Sequence, residues 1–111
     1  MAGQDSLSLR RLKEFQPLNR LSDDQLVLLA SRAERRALGP GQRVLERGVR
    51  DGLEFFLVSG QVELEAVFGR KSIIEAESDK AFHRIARLQP RMYEVTAVKP
   101  CEFLVDAQDI L

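Results

Sequence analysis

Cysteine and histidine are almost missing from this chain: Cys101 and His83 are the only ones in 111 residues. A lone cysteine excludes a disulfide framework and any cysteine-based zinc site. A lone histidine removes the two- or three-histidine metal centres of oxygenases and isomerases. No apolar run approaches the ~18 residues of a membrane span, so no membrane partner is expected. Residues 1–13 carry no apolar block between their charges, so they do not read as a secretory signal. A reducing, cytoplasmic setting is the expectation. Net charge is absent too, with 17 Lys and Arg against 17 Asp and Glu. That balance argues against a dedicated nucleic-acid binder, and no helix-turn-helix is legible. Neither a Gly-x-Ser-x-Gly nucleophile elbow nor a phosphate-cradling Walker loop occurs, and catalysis is not expected. There is no internal repeat, low-complexity stretch or linker, so one domain is expected over residues 1–111.

What is there begins as helix. Ser6 or Ser8 can cap a short helix with Leu7, Leu9, Leu12 and Phe15 on its apolar side, ended by Pro17. Ser22-Asp23-Asp24-Gln25 is a capping box, in which a hydroxyl and a Gln side chain satisfy two orphan amides reciprocally. The two aspartates also suit the positive end of the helix dipole. Leu26, Leu29, Ala30 and Ala33 supply the buried stripe. This helical lead covers residues 5–34.

After it the period changes. Gly39-Pro40-Gly41 is a hard turn. Short strands are expected over residues 43–46, 53–58, 61–67, 71–77, 92–98 and 101–106. The 53–58 run is mostly apolar, as in a strand buried on both faces. In 61–67, Val62, Leu64 and Ala66 alternate with Gln61, Glu63 and Glu65, the cleanest strand signal in the chain. Residues 81–88 read as one or two helical turns, and 106–111 as the start of a C-terminal helix. The whole predicts a mainly β fold: an antiparallel jelly-roll barrel over residues 35–106 behind two helices. Phe55, Phe56 and Phe103 are expected in the core. Cys101 is expected as a small buried hydrophobe with no cause for a lowered pKa.

Charge is uneven along the chain. Residues 80–91 contain no acid but hold Lys80, Arg84, Arg87 and Arg91. A solvated turn accounts for such a run as readily as an anion site does.

The run from Pro40 through Gly48, then LEFFLVSG at 53–60, then Gln61-Val62-Glu63-Leu64, resembles the cyclic-nucleotide-binding domain family. The Leu-Ser-Asp start of the second helix and the closing segments at Arg91–Ala97 and Cys101–Leu104 fit the same family. In that family a Phe-Gly-Glu-Leu cassette and a following Arg hold the cyclic phosphate and the ribose. By this resemblance Phe82 matches the Phe and Arg91 the Arg. His83 stands where Gly is expected and Arg84 where Glu is expected, and the interval to Arg91 is short. A Cβ at His83 obstructs close backbone approach, and Arg84 has only donors to offer a ribose hydroxyl. The cassette therefore reads as degenerate.

The resemblance implies a regulatory module, with nucleotide binding lost or altered. No cofactor is expected; the ligand, where one is bound, is a cyclic nucleotide or another anion such as a cyclic dinucleotide. The candidate anion pocket is Arg91, Arg84, His83, Arg87 and Tyr93. Each has a plainer account: Arg91 as an ion-paired strand-end arginine, Arg84 and Arg87 as a solvated face, His83 as packed or exposed, Tyr93 as a rim tyrosine. The alternative role is a ligand-free interaction or dimerisation scaffold. The expected partners are a downstream domain, a partner protein or a second copy of the chain, with no nucleic acid bound through this chain.

Overall fold

The computed structural model describes residues 8–86 and 88–107. Two short helices lead: α1 at Leu9–Leu12 and α2 at Asp23–Arg32, with a 3-10 turn at Leu18–Arg20 between them. Seven strands follow: β1 Glu34–Leu38, β2 Arg43–Leu45, β3 Leu53–Ser59, β4 Gln61–Glu65, β5 Lys71–Glu75, β6 Glu94–Ala97 and β7 Cys101–Ala107.

Ser8 caps α1 through a bond from the Arg11 amide. The capping box forms as expected: the Gln25 amide donates to Ser22 Oγ at 3.2 Å and the Ser22 amide to Gln25 Oε1 at 2.9 Å. Such a cap is worth about 1 kcal/mol. α1 is shorter than the apolar spacing predicted, and Phe15 is buried from the turn that follows it.

The strands make two antiparallel sheets, ordered β1-β7-β3 and β2-β6-β4-β5. Among the described residues no strand of one sheet pairs with the other, so the expected barrel is replaced by two stacked layers. Gly60 carries the chain from β3 in one layer to β4 in the other, at φ +98°. The core between the layers comprises Phe55, Leu57, Phe103 and Val105 from the first sheet and Leu45, Val62, Leu64, Ile74, Val95 and Ala97 from the second. Phe55 and Phe103 meet edge to face at 5.8 Å. A second core lies between the helices and the outer face of the first sheet, where Leu12, Phe15, Leu18, Leu26 and Leu29 cover Phe56, Val58 and Leu104. β3 is therefore buried on both faces, as its apolar run predicted. β4 has one buried face, as its alternation predicted.

Three local expectations are corrected. β1 was not expected, because Glu34-Arg35-Arg36 reads as polar. It is an edge strand, and its charges are partnered: Arg35 pairs with Glu102 at 2.6 Å and Arg36 lies over the Phe55 ring at 5.4 Å. The helical turn expected over residues 81–88 lies earlier, as a 3-10 turn at Asp79–Phe82. Beyond it the Ile85 amide donates to Phe55 O and the Ala86 carbonyl accepts from Arg91, so groups a helix would use are engaged elsewhere. Asp106 and Ala107, expected to open a C-terminal helix, are the last residues of β7. The rest of that expected helix, residues 108–111, lies outside the described residues. No helix among the described residues is long and apolar enough to cross a membrane.

Candidate functional site

The basic segment that leads into β6 is fixed by its backbone. The Arg91 amide donates to Val49 O at 2.9 Å, and the Gly48 amide donates to Arg91 O at 2.8 Å. These bonds clamp Arg91 beside the β2–β3 loop and direct its side chain inward, where it is 1% exposed.

A buried guanidinium is tolerated only when its charge and donors are answered. Asp51 answers the charge: Arg91 Nη2 lies 2.7 Å from Oδ1 and Nε 3.1 Å from Oδ2. This is the two-pronged geometry of an arginine on a planar anion. Nη1 donates to Ala86 O at 2.8 Å, and Nη2 also donates to Leu53 O. The guanidinium carbon stands 5.6 Å from the Phe55 ring centre.

Asp51 is held in turn. Its Oδ1 accepts from the Leu53 amide at 3.0 Å and from Gln89 Nε2 at 2.9 Å, and its own amide donates to Gln89 Oε1 at 3.1 Å. Burial works to raise the Asp51 pKa. The hydrogen bonds from Arg91, Gln89 and the Leu53 amide, with the Arg91 charge, outweigh it and hold the carboxyl below its usual range.

The other candidates separate from Arg91. Arg84 reaches back to Glu54 of β3, with Nη1 3.4 Å from Oε2. Glu54 is 4% exposed, and its Oε1 has no hydrogen-bond partner. Arg84 and His83 line a cleft of about 260 Å³ with Gln16, Pro17 and Arg20. Tyr93 lines a different, apolar hollow of about 230 Å³ with Ala86, Leu88 and Met92. Arg87 lies outside the described residues. The four described candidates do not converge on one pocket: Arg84 and His83 share a cleft, and Arg91 and Tyr93 are elsewhere.

The sequence reading missed Asp51, Gln89 and Arg20. Asp51-Gly52 looks like turn chemistry, and nothing along the chain ties it to an arginine 40 positions on. Among the described residues no group of three His, Cys, Asp or Glu side chains is placed to hold a metal. Cys101 is 4% exposed, and its thiol pKa is pushed up by burial, in line with a packed hydrophobe.

Comparison with solved structures shows the fold. The regulatory domain of Toxoplasma gondii PKA, crystallised with cAMP, superposes with a TM-score of 0.78 at 15% identity, over 99% of this chain and 44% of that one. The sensor domain of the transcriptional regulator DNR from Pseudomonas aeruginosa gives 0.76 at 16% identity, over 93% of this chain and 76% of that one. A cyclic nucleotide-binding-like protein from Brucella abortus gives 0.70 at 20% identity, over 92% and 91%. The chain spans less than half the length of the PKA structure it matches. No protein-family model matches the chain, and no curated protein matches it in sequence. The chain has the fold of the cyclic-nucleotide-binding domains, as the resemblance of its sequence implied.

Proposed function

We propose that the chain is a regulatory module of cyclic-nucleotide-binding-like fold whose anchoring arginine is committed internally, so that ordinary cyclic mononucleotides are not its ligands. The observation that carries this is the Arg91–Asp51 pair. The resemblance assigns Arg91 to a phosphate, and a carboxylate of the same chain occupies its fork at 2.7 and 3.1 Å. A nucleotide phosphate would have to displace that carboxylate, leave Asp51 beside the new anion, and break the bonds to Ala86 and Leu53. His83 and Arg84 stand where the cassette needs Gly and a carboxylate, and they weaken ribose and phosphate recognition further.

On this reading the two sheets are the halves of an open jelly roll and the protein is not an enzyme. It works in the cytoplasm on a downstream domain, a partner protein or a second copy of itself. Family members transmit ligand binding through the segment after the last strand; here β7 delivers the chain to that segment with its register fixed by β1 and β3.

A thermal-shift panel of cAMP, cGMP and cyclic dinucleotides tests the reading. A ligand at 100 times its Kd stabilises by about 2.7 kcal/mol, a shift of several degrees at this size. No Arg91-dependent shift with the mononucleotides is expected. A shift with cAMP or cGMP that Arg91→Ala abolishes overturns the proposal.

A further inference from the structure

The basic cleft is separate from the Arg91 fork, and the two segments that form it are remote in sequence. One wall is the stretch from Gln16 to Arg20, the other His83 and Arg84. They are joined directly: the Gln16 amide donates to Phe82 O at 2.7 Å. Each wall is anchored by fully buried side chains, Phe15 and Leu18 on one side and Ala81 and Ile85 on the other. The cleft is therefore a feature of the packed fold rather than of a loose surface.

Its lining has one sign. Of Gln16, Pro17, Arg20, His83 and Arg84, none is acidic and two are permanently cationic. Among the described residues the Arg20 side chain has no hydrogen-bond or ion-pair partner. Arg84 is held by Glu54 through one terminal nitrogen at 3.4 Å. An arginine has five N–H donors, so others remain for a second anion. Two guanidinium groups across one small cleft suit a phosphate, whose oxygens accept the planar fork. At about 260 Å³ the space falls just below that of pockets for drug-sized ligands. That is room enough for a phosphate group with a few atoms attached.

We propose that this cleft is an anion site for a small phosphate-bearing molecule, with Arg20 and Arg84 as its two forks. The site also has a route into the sheet. An anion competes with Glu54 for Arg84, and Glu54 is the register partner of Asp106 at the end of β7. Both carboxylates are buried, so a change in the neutralisation of Glu54 is felt at the end of β7. The proposal does not depend on the Arg91 reading, because Arg91 does not line the cleft.

Titration of the full chain with inorganic pyrophosphate, at constant ionic strength and followed by calorimetry, tests it. Saturable binding is expected. Arg20→Gln should weaken it about tenfold or more, the usual consequence of losing a charge-assisted hydrogen bond. Arg84→Gln alone strands Glu54 and can unfold the chain, so the double variant Arg84→Gln with Glu54→Gln is used, with the same loss expected. Asp51→Asn, which alters the Arg91 fork and the Gln89 and Leu53 bonds but no residue lining the cleft, should leave pyrophosphate binding unchanged. Absence of saturable binding overturns the proposal, as does binding that survives Arg20→Gln. Binding that is lost in Arg91→Ala but retained in Arg20→Gln overturns it too, and assigns the anion to the Arg91 fork.

Discussion

Asp51 closes the guanidinium fork of Arg91, with Oδ1 2.7 Å from Nη2 and Oδ2 3.1 Å from Nε. The arginine side chain is fully buried while the aspartate keeps 22% of its surface. The pair is therefore asymmetric. Water can reach the anion when the cation is removed, but it cannot readily reach the cation when the anion is removed.

That asymmetry orders the variants. Asp51→Ala leaves a buried, unpaired guanidinium and should cost about 3 kcal/mol, a fall in Tm of about 10 °C or more at this size. Asp51→Ala combined with Arg91→Met, which removes the stranded charge at similar volume, should recover part of the loss. Thermal unfolding of both variants checks the order. A double variant less stable than Asp51→Ala alone would contradict it.

Acid should weaken the same pair. The Asp51 pKa in the folded chain lies below its unfolded value, mainly because the bonds from Arg91 and Gln89 overcome the opposing effect of burial. Its contribution is then complete above the unfolded value of about 3.9 and is lost as pH falls through the folded one. The stability difference between wild type and Asp51→Asn should be constant from pH 7 to about pH 5 and shrink below about pH 4. Urea unfolding across that range measures it, and a difference that grows on acidification would reverse the sign of the argument.

Gly60 should tolerate no side chain. Its φ is +98°, and an added Cβ would press into the Pro100 carbonyl oxygen and stand 2.7 Å from Cys101 Sγ. The backbone oxygen cannot swing aside, since β6 and β7 flank it in two different sheets. Gly60→Ala should destabilise by about 2 kcal/mol or more, whereas Gly41→Ala, with open space around its Cβ, should cost less. Denaturant midpoints of the two variants decide it.

Cys101 should be inert in the folded chain. It is buried, its thiol lies 3.2 Å from Gln61 O and 3.1 Å from Lys99 O, and burial raises its pKa. Reaction with a thiol reagent at neutral pH should proceed at the rate of global opening and become fast in denaturant. Rapid labelling under native conditions would place the thiol at the surface.

Much of the fold was legible because it rests on short-range signals. The Ser22 to Gln25 capping box, the alternation in β4 and the apolar run of β3 each follow from a few adjacent residues. β1 escaped because edge strands can be charged when their sheet supplies partners, here Glu102 of β7 and the Phe55 ring of β3. The 81–88 region escaped because the Ile85 amide is claimed by β3 and the Ala86 carbonyl by Arg91, which only the folded chain brings near. The site was half legible. Arg91 stood out, but Asp51 lies 40 residues away, and only the packing of the β2–β3 loop against residues 89–91 makes them partners.

The most direct measurement is the Nε–H resonance of Arg91 in a nitrogen-15-labelled sample, followed during titration with cAMP. A guanidinium bound by Asp51 and sealed from solvent should give a resolved peak that exchanges slowly with water and stays in place at millimolar nucleotide. A peak that moves saturably with cAMP in the wild-type chain would show that the fork is open to a ligand and contradict the account.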